Sequence, residues 1–161
     1  MPPSFENVIR NFCLYKALAE PEHLLKGGSV LVNEVAFCFI YDLHRMPQAL
    51  TLCTVFGAAP LQNETAIYRA LLSQNHVGHA GKGPGFCMSP KTGDVVHLRT
   101  MLLEEATPVR LASTMVFFSE RAREWQTTFF LPQSATSRFL RTQQQQPGAA
   151  SAIATSASAT R

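Results

Sequence analysis

The segment from Leu50 to Met88 constrains the fold more than any other part of the chain, because several kinds of local structure follow one another within it. Strand-forming residues fill Leu50–Phe56, and a glycine and proline turn follows. Asn63 is a good N-cap, and apolar residues at helical spacing come after it. A glycine-rich stretch over 78–85 ends that helix and leads to a short strand at Phe86–Met88. The order strand, helix, strand predicts a fold that combines helices with a sheet.

The N-terminal part predicts a first helix over Ser4–Ala19, with Ser4 as its cap and Pro21 beyond its end, and then a loop over Glu22–Ser29. An apolar stripe along this helix gives it a side that faces the core. Leu14 and Leu18 lie one turn apart on the opposite side. Two interpretations stay open for this pair: ordinary exposed leucines, or a small apolar patch that contacts a partner.

The strands that follow are apolar on both faces. One or two strands are predicted over Val30–Leu43, and Ala49–Phe56 is predicted to return beside them as an antiparallel partner. Within the first stretch, Phe37 and Phe39 alternate with Cys38 and other apolar residues. An antiparallel sheet with one solvated face normally carries polar residues there. These strands therefore predict either two covered faces or one face reserved for another molecule.

The last third of the sequence predicts a second hairpin and a long helix. Strands over Phe86–Ser89 and Asp94–Leu103 flank a turn in which Pro90 comes early and Gly93 last. A helix then begins at Thr107, with proline at its first position. Its apolar stripe comprises Leu111, Met115, Phe118, Ala122, Trp125 and Phe129. We expect this stripe to pack on the sheet; a seam against a second copy of the chain is the alternative.

Composition and charge favour one neutral folded domain. The chain has 161 residues, of which 46% are hydrophobic and 16% charged, and this length predicts a single domain. The net charge of +3 comes from Arg138, Arg141 and Arg161 near the C-terminal end. Because the remainder is neutral, we predict no nucleic-acid partner. No apolar run approaches the roughly 18 residues of a membrane helix, and the N-terminus shows no secretory signal, so we predict no membrane insertion.

The C-terminal part differs in composition from the rest. We predict a single α+β domain over residues 1–131 and a low-complexity tail over 132–161. The tail is rich in Gln, Ala, Ser and Thr and has almost no large apolar residues. Such a composition cannot bury enough surface to offset the conformational entropy lost on ordering, so we predict disorder from about Gln143.

Residues that could carry chemistry form no recognised catalytic or metal site. The four cysteines lie in apolar segments without a Cys-x-x-Cys pair, which predicts buried free thiols in a reducing cytoplasm. His76 and His79 are not followed by a second ligand pair at zinc-site spacing. The glycine-rich stretch follows a helix, whereas phosphate-binding loops lead into one. We predict no enzymatic activity, metal or cofactor; a small-ligand or metal protein that uses the two histidines and the glycine-rich stretch is the alternative.

Six stretches, in this order of elements, carry a family resemblance: Phe37–Asp42, Leu50–Gly57, Tyr68–Asn75, Gly85–Pro90, Gly93–Val96 and Ala122–Trp125. Over about Phe5–Phe129 the chain resembles the class I type III secretion chaperones, the CesT or Tir-chaperone-like family. The resemblance implies an α+β fold in the order α-β-β-β-α-β-β-α, with about three helices and an antiparallel twisted sheet.

The resemblance also implies a function. It implies a homodimer without enzymatic activity in the bacterial cytoplasm, which binds the N-terminal chaperone-binding segment of a secreted effector. Such a chaperone holds the segment extended, keeps the effector soluble and secretion-competent, and helps to deliver it to the secretion ATPase. A non-enzymatic interaction or regulatory module of similar fold, which binds a folded partner, is the alternative.

Two sets of apolar residues are predicted as contact sites. An extended segment can add a strand to a sheet edge and lay its side chains into apolar pockets. The candidates for effector contact are Leu14, Leu18, Phe37, Phe39, Leu50 and Leu52, and for each of them core packing is the competing interpretation. The candidates for the dimer interface lie on the central helix and are Ile67, Tyr68, Leu71 and Leu72. An isologous contact of this helix would bury the side that its own sheet leaves uncovered.

Overall fold

The computed structural model describes residues 3–78 and 85–132. Its elements are α1 (Phe5–Lys16), α2 (Pro21–Leu25), β1 (Ser29–Val32), β2 (Val35–Ile40), β3 (Ala49–Ala58), α3 (Glu64–Gly78), β4 (Phe86–Met88), β5 (Asp94–Leu102) and α4 (Pro108–Thr128). The α+β class and the predicted order of the longer elements are confirmed. The predicted tail beyond residue 132, most of the glycine-rich stretch and His79 lie outside the described residues.

Within the described residues the strands form one antiparallel sheet in the order β1-β2-β3-β5-β4. Asn33 and Glu34 join β1 to β2 with φ angles of 50° and 67°, the left-handed conformation that a two-residue hairpin turn requires. The stretch predicted as one or two strands therefore contains two. Further along, the register of β3 against β5 shifts between Val55 and Gly57, which marks a β-bulge.

The four helices of the described residues pack on the same face of the sheet, and one hydrophobic core lies between them and the sheet. Helix α4 lies across β1, β2 and β3, α1 packs against α4, and α3 contacts β4. The fully buried large side chains come from every long element and include Phe12, Phe37, Leu50, Leu52, Phe56, Ile67, Leu111, Met115 and Trp125. The sheet is therefore covered on one side by the described residues.

The long helix α4 follows its sequence pattern closely. Thr107 caps it, because the Thr107 hydroxyl accepts a hydrogen bond of 3.2 Å from the backbone N–H of Arg110. Five of the six residues of the predicted stripe, from Leu111 to Trp125, are buried in the core. The stripe therefore packs on the chain's own sheet, as we expected. Phe129 ends the helix with a left-handed φ of 51°.

Two local predictions about the N-terminal region were wrong. The first helix ends at Lys16 rather than Ala19, because Ala17 adopts a left-handed φ of 53° and its N–H bonds back to carbonyls of the last turn. The segment predicted as a loop after Pro21 contains the short helix α2, with Pro21 at a first-turn position, where its missing N–H costs nothing.

Candidate functional site

On the sheet face opposite the helices, no helix of the described residues packs against the strands. Residues paired across an antiparallel ladder point to the same face, so the strand registers assign this face to alternate residues of each strand. They are Ser29, Leu31, Ala36, Cys38, Ile40, Ala49, Thr51, Cys53, Val55, Cys87, Val96, Leu98, Thr100 and Leu102, and we call this set the open face.

Eleven of the fourteen members of the open face are apolar, the other three are Ser29, Thr51 and Thr100, and none is charged. Asp94, at the start of β5, lies at its rim. Leu31, Ile40 and Leu102 expose 69%, 47% and 42% of their surface, whereas Ala49, Thr51, Cys53 and Val96 expose only 7–8%. A solvated face of an antiparallel sheet normally alternates polar residues with the core residues. A contiguous uncharged surface of this kind indicates a binding surface.

The two edges of the sheet lie on either side of the open face. Strand β1 forms one edge and β4 the other. Backbone N–H and C=O groups that point away from an edge strand are available to pair with an added strand. The fold therefore combines an apolar surface with two edges that can accept extended backbone.

A groove of about 610 Å³ continues the open face onto the helical side, where α1, α2 and β2 meet. Phe5, Leu25 and Tyr41 line it. The rings of Phe5 and Tyr41 are stacked with centroids 4.6 Å apart, so the wall of the groove is packed. Ile40 belongs both to the groove and to the open face, which makes the two apolar surfaces continuous.

The groove is acidic at its outer wall. Glu6 and Glu22 both line it, and both form ion pairs with Arg10, at 2.9 and 2.6 Å. These hydrogen bonds raise the pKa of the Arg10 guanidinium further above its ordinary value. Because one guanidinium serves two carboxylates, a net negative charge remains beside the apolar lining. The groove is thus suited to a segment that combines apolar side chains with a basic one.

The predicted effector-contact residues divide between surface and core. Leu14 is 80% exposed on α1, and Leu18 is partly buried against the core. Phe37, Phe39, Leu50 and Leu52 lie on the helix-facing side of the sheet and are at most 3% exposed. The prediction of effector contact does not fit these four residues, because α1 and α4 already cover them. The alternate residues of the same strands form the open face instead.

The predicted dimer residues divide in the same way. Ile67 and Leu71 point into the core and are 0% and 5% exposed, so the dimer prediction does not fit them. Tyr68 is partly buried, and Leu72 is 66% exposed on the outer side of α3. These two line a pocket of about 160 Å³ between α3 and β4, together with Met88. The outward part of the predicted interface therefore lies beside an edge strand.

The sequence contained the signal for the open face but did not identify its members. Both alternating sets of β2 and β3 are apolar, and local periodicity alone cannot tell which set the helices will cover. The members that the prediction missed include Leu31, Ile40 and Leu102. Leu31 and Leu102 could have been suspected from their place in strands whose inward residues are already large and apolar.

Within residues 3–78 and 85–132, no group of three or more His, Cys, Asp and Glu side chains is arranged to hold a metal ion. In the same ranges no helix has the length and hydropathy needed to cross a membrane.

A comparison with protein-family models gives a match over residues 36–126 to the model described as the Tir chaperone protein (CesT) family. The match begins within β2 and ends within α4, so it includes most of the open face and all of α3. No curated protein matches the chain.

Proposed function

The chain belongs to the Tir chaperone protein (CesT) family, and from this premise we propose that it is a type III secretion chaperone for the N-terminal segment of a secreted effector. Members of this family are chaperones rather than enzymes. The client segment binds in extended form, which keeps it soluble and competent for secretion. In this role the protein works in the bacterial cytoplasm and helps to deliver its client to the secretion ATPase.

The open face is the observation that carries the proposal. Apolar side chains that a sheet face exposes to water have an unfavourable free energy, and covering them with an apolar segment removes that cost. Fully burying a large aliphatic side chain contributes about 1.5–3 kcal/mol. Leu31, Ile40 and Leu102 are about half exposed, so a covering segment gains roughly half of that amount at each.

The sheet edges and the groove give the client its geometry. An extended segment that pairs with β1 gains backbone hydrogen bonds. Its alternate side chains then lie along the open face, from Leu31 towards Ile40. Beyond Ile40 the groove receives an apolar side chain, and a basic residue of the client lies next to Glu6 and Glu22. We propose Leu14, on the exposed side of α1, and Leu18, at its end, as additional contacts.

We also propose that the protein forms a homodimer through the outer side of α3 and the edge strand β4. Leu72 and Met88 are 66% and 48% exposed and line the same pocket. An isologous contact would bury both residues from each copy. Tyr68 lines this pocket as well, and its hydroxyl donates a 2.8 Å hydrogen bond to Glu64, so its ring is already held in place for such a contact.

Client binding is tested by co-expressing the chain with N-terminal segments of effectors secreted by the same bacterium. We expect a soluble complex in which the segment lacks helical and tertiary signals of its own. Ile40→Glu places a charge where the open face meets the groove and should weaken binding at least tenfold, or about 1.4 kcal/mol. Val116→Glu is the control, since Val116 is similarly exposed, at 43%, on the helical side. Equal affinity of both variants, or a client that stays folded when bound, contradicts the proposal.

The dimer is tested by light scattering of the purified chain. We expect a mass of two chains for the wild type and of one chain for Leu72→Glu. Leu61→Glu serves as the control, because Leu61 is 89% exposed and lies before α3 rather than on its outer side. A wild-type protein that remains monomeric at all concentrations rules out the dimer and leaves client binding to be judged separately.

A further inference from the structure

Two cysteines lie side by side in the middle of the open face. Cys38 of β2 and Cys53 of β3 are direct partners in the ladder between the two strands, so their side chains point to the same side. Both are free thiols, Cys38 partly exposed and Cys53 8% exposed. Directly opposite residues of antiparallel strands have Cβ atoms about 4.5–5.5 Å apart, so the two thiols are close neighbours.

The backbone separation of the pair suits a disulfide. Directly opposite residues of antiparallel strands have Cα atoms about 4.5 or 5.5 Å apart, depending on the type of pair. Disulfides join Cα atoms that are about 4.4–6.8 Å apart. A bond between Cys38 and Cys53 therefore needs side-chain rotation but no displacement of either strand.

Exposure and proton affinity give the two thiols different roles. The interaction with the Cys53 thiol lowers the pKa of Cys38 to about 7. The same interaction, together with burial, raises the pKa of Cys53. The thiolate is the reactive form of cysteine. Because Cys38 is also the more exposed of the two, a peroxide reaches it first, and Cys38 is the attacking group.

We propose that Cys38 and Cys53 are an oxidation site at which hydrogen peroxide converts the two thiols into a cross-strand disulfide. The Cys38 thiolate attacks one peroxide oxygen, an S–O bond forms, the O–O bond breaks, and the departing hydroxide takes up a proton as water. Cys53 then loses its proton and attacks the Cys38 sulfur, so that the S–S bond forms and the S–O bond breaks, releasing a second water. Two thiols thereby supply the two electrons that reduce one hydrogen peroxide.

The other two cysteines do not compete for this bond. Cys13 is buried in α1 on the helical side of the sheet. Cys87 belongs to the open face but lies on β4, and β5 stands between β4 and β3. Two strand spacings amount to about 9.5 Å, which exceeds the reach of a disulfide. The pairing is therefore specific to Cys38 and Cys53.

Peptide mapping of the purified full chain tests the proposal directly. The protein is treated with hydrogen peroxide, remaining thiols are alkylated, and the chain is digested with trypsin without reduction. Cleavage after Arg45 separates the peptides Gly27–Arg45 and Met46–Arg69, which contain Cys38 and Cys53 as their single cysteines. We expect these two peptides to be recovered as one linked species that lacks two hydrogens. Dithiothreitol should restore both alkylated peptides.

Variants distinguish this pair from unspecific oxidation. The double variant Cys13→Ser, Cys87→Ser should form the linked species to the same extent as the wild type, whereas Cys38→Ser should lose it completely. Three outcomes overturn the proposal: alkylation of Cys38 and Cys53 after treatment, oxidation of Cys38 to a sulfinic or sulfonic acid in place of the bond, or linkage of either peptide to Cys13 or Cys87. None of these readouts depends on client binding, so the proposal stands or falls independently of the chaperone role.

Discussion

His97 shows how a single residue can make the stability of this fold depend on pH. It lies on the helix-facing side of β5, where its ring stacks on Phe118 at 4.2 Å and meets the edge of Phe86 at 4.9 Å. Burial, together with the charges of Arg99 and Arg121, lowers the pKa of His97 to about 4. Its Nδ1 atom is buried without a hydrogen-bond partner. His97 is therefore neutral at physiological pH and acts as a core residue.

Acid should destabilise the protein through this residue. Above pH 6.5 His97 is neutral in both the folded and the unfolded chain; between 6.5 and about 4 only the unfolded chain binds the proton, so the free energy of unfolding falls as the pH falls. The full effect is about 3 kcal/mol and levels off below pH 4. Urea unfolding at several pH values should show a smaller loss across this window for His97→Gln than for the wild type.

The control for this measurement is His44→Gln, which removes an exposed histidine from the turn between β2 and β3. This variant should keep the wild-type dependence on pH. If His97→Gln and His44→Gln lose stability equally as the pH falls, a role for His97 in acid sensitivity is contradicted.

At the scale of elements, the contact between α3 and β4 depends on the amide side chain of one residue. The Asn75 side chain donates a 2.9 Å hydrogen bond to the carbonyl of Phe86 and accepts one of 2.6 Å from its N–H. Asn75 thus bonds to the edge strand as a neighbouring strand would. A Cβ atom at residue 85 would collide with the Asn75 carboxamide, so the close approach requires glycine there.

Replacing Asn75 by leucine should loosen β4 without unfolding the protein. The change leaves the N–H and carbonyl of Phe86 without their partner, which costs about 1–3 kcal/mol. Hydrogen exchange should therefore become faster at the β4 amides, while β2 and β3 keep their protection. Asn11→Leu, at an exposed position of α1, is the matched control. If hydrogen exchange at the β4 amides is unchanged in Asn75→Leu, the proposed role of Asn75 in holding β4 is contradicted.

An element could be predicted from the sequence when the residues that determine it lie within that element. The apolar stripe of α4 and its Thr107 cap depend only on residues of that helix, and both predictions were confirmed. The left-handed turn at Asn33 and Glu34 uses residues other than the usual Asn-Gly pair, and the sequence left one strand or two open there. The assignment of Phe37 to the core and Cys38 to the surface depends on helices distant in sequence. No local pattern contains that information.

At the scale of the whole molecule, the described part forms one core, and its last contribution comes just after α4. The Phe129 ring packs against Trp125 at 5.1 Å and the Phe130 ring against Phe86 at 5.7 Å. Leu131 also packs against the core. These contacts support the proposed domain boundary near residues 131 and 132, which separates a complete core from the low-complexity sequence that follows.

Truncation tests this boundary. A chain that ends at Pro132 should unfold at the wild-type temperature, because the sequence beyond it has only Phe139, Leu140 and Ile153 as large apolar residues, too few to build a core. A chain that ends at Gln126 loses Phe129, Phe130 and Leu131 and should be less stable by about 3 kcal/mol or more. Calorimetry compares the two. A marked loss of stability in the chain that ends at Pro132 contradicts the boundary.

The contact between α1 and α4 sets an order of events during synthesis. The first helix of the chain packs on the last one, and Asn33 and Glu34 also bond to Ser119 and Arg123 of α4. While the ribosome is still making α4, the inner side of the sheet, with Leu52 and Phe56, has no cover and is exposed to water. Non-local contacts of this kind form late. A newly made copy of this protein therefore passes through a stage in which it is itself prone to aggregation, and that stage ends only when α4 leaves the ribosome.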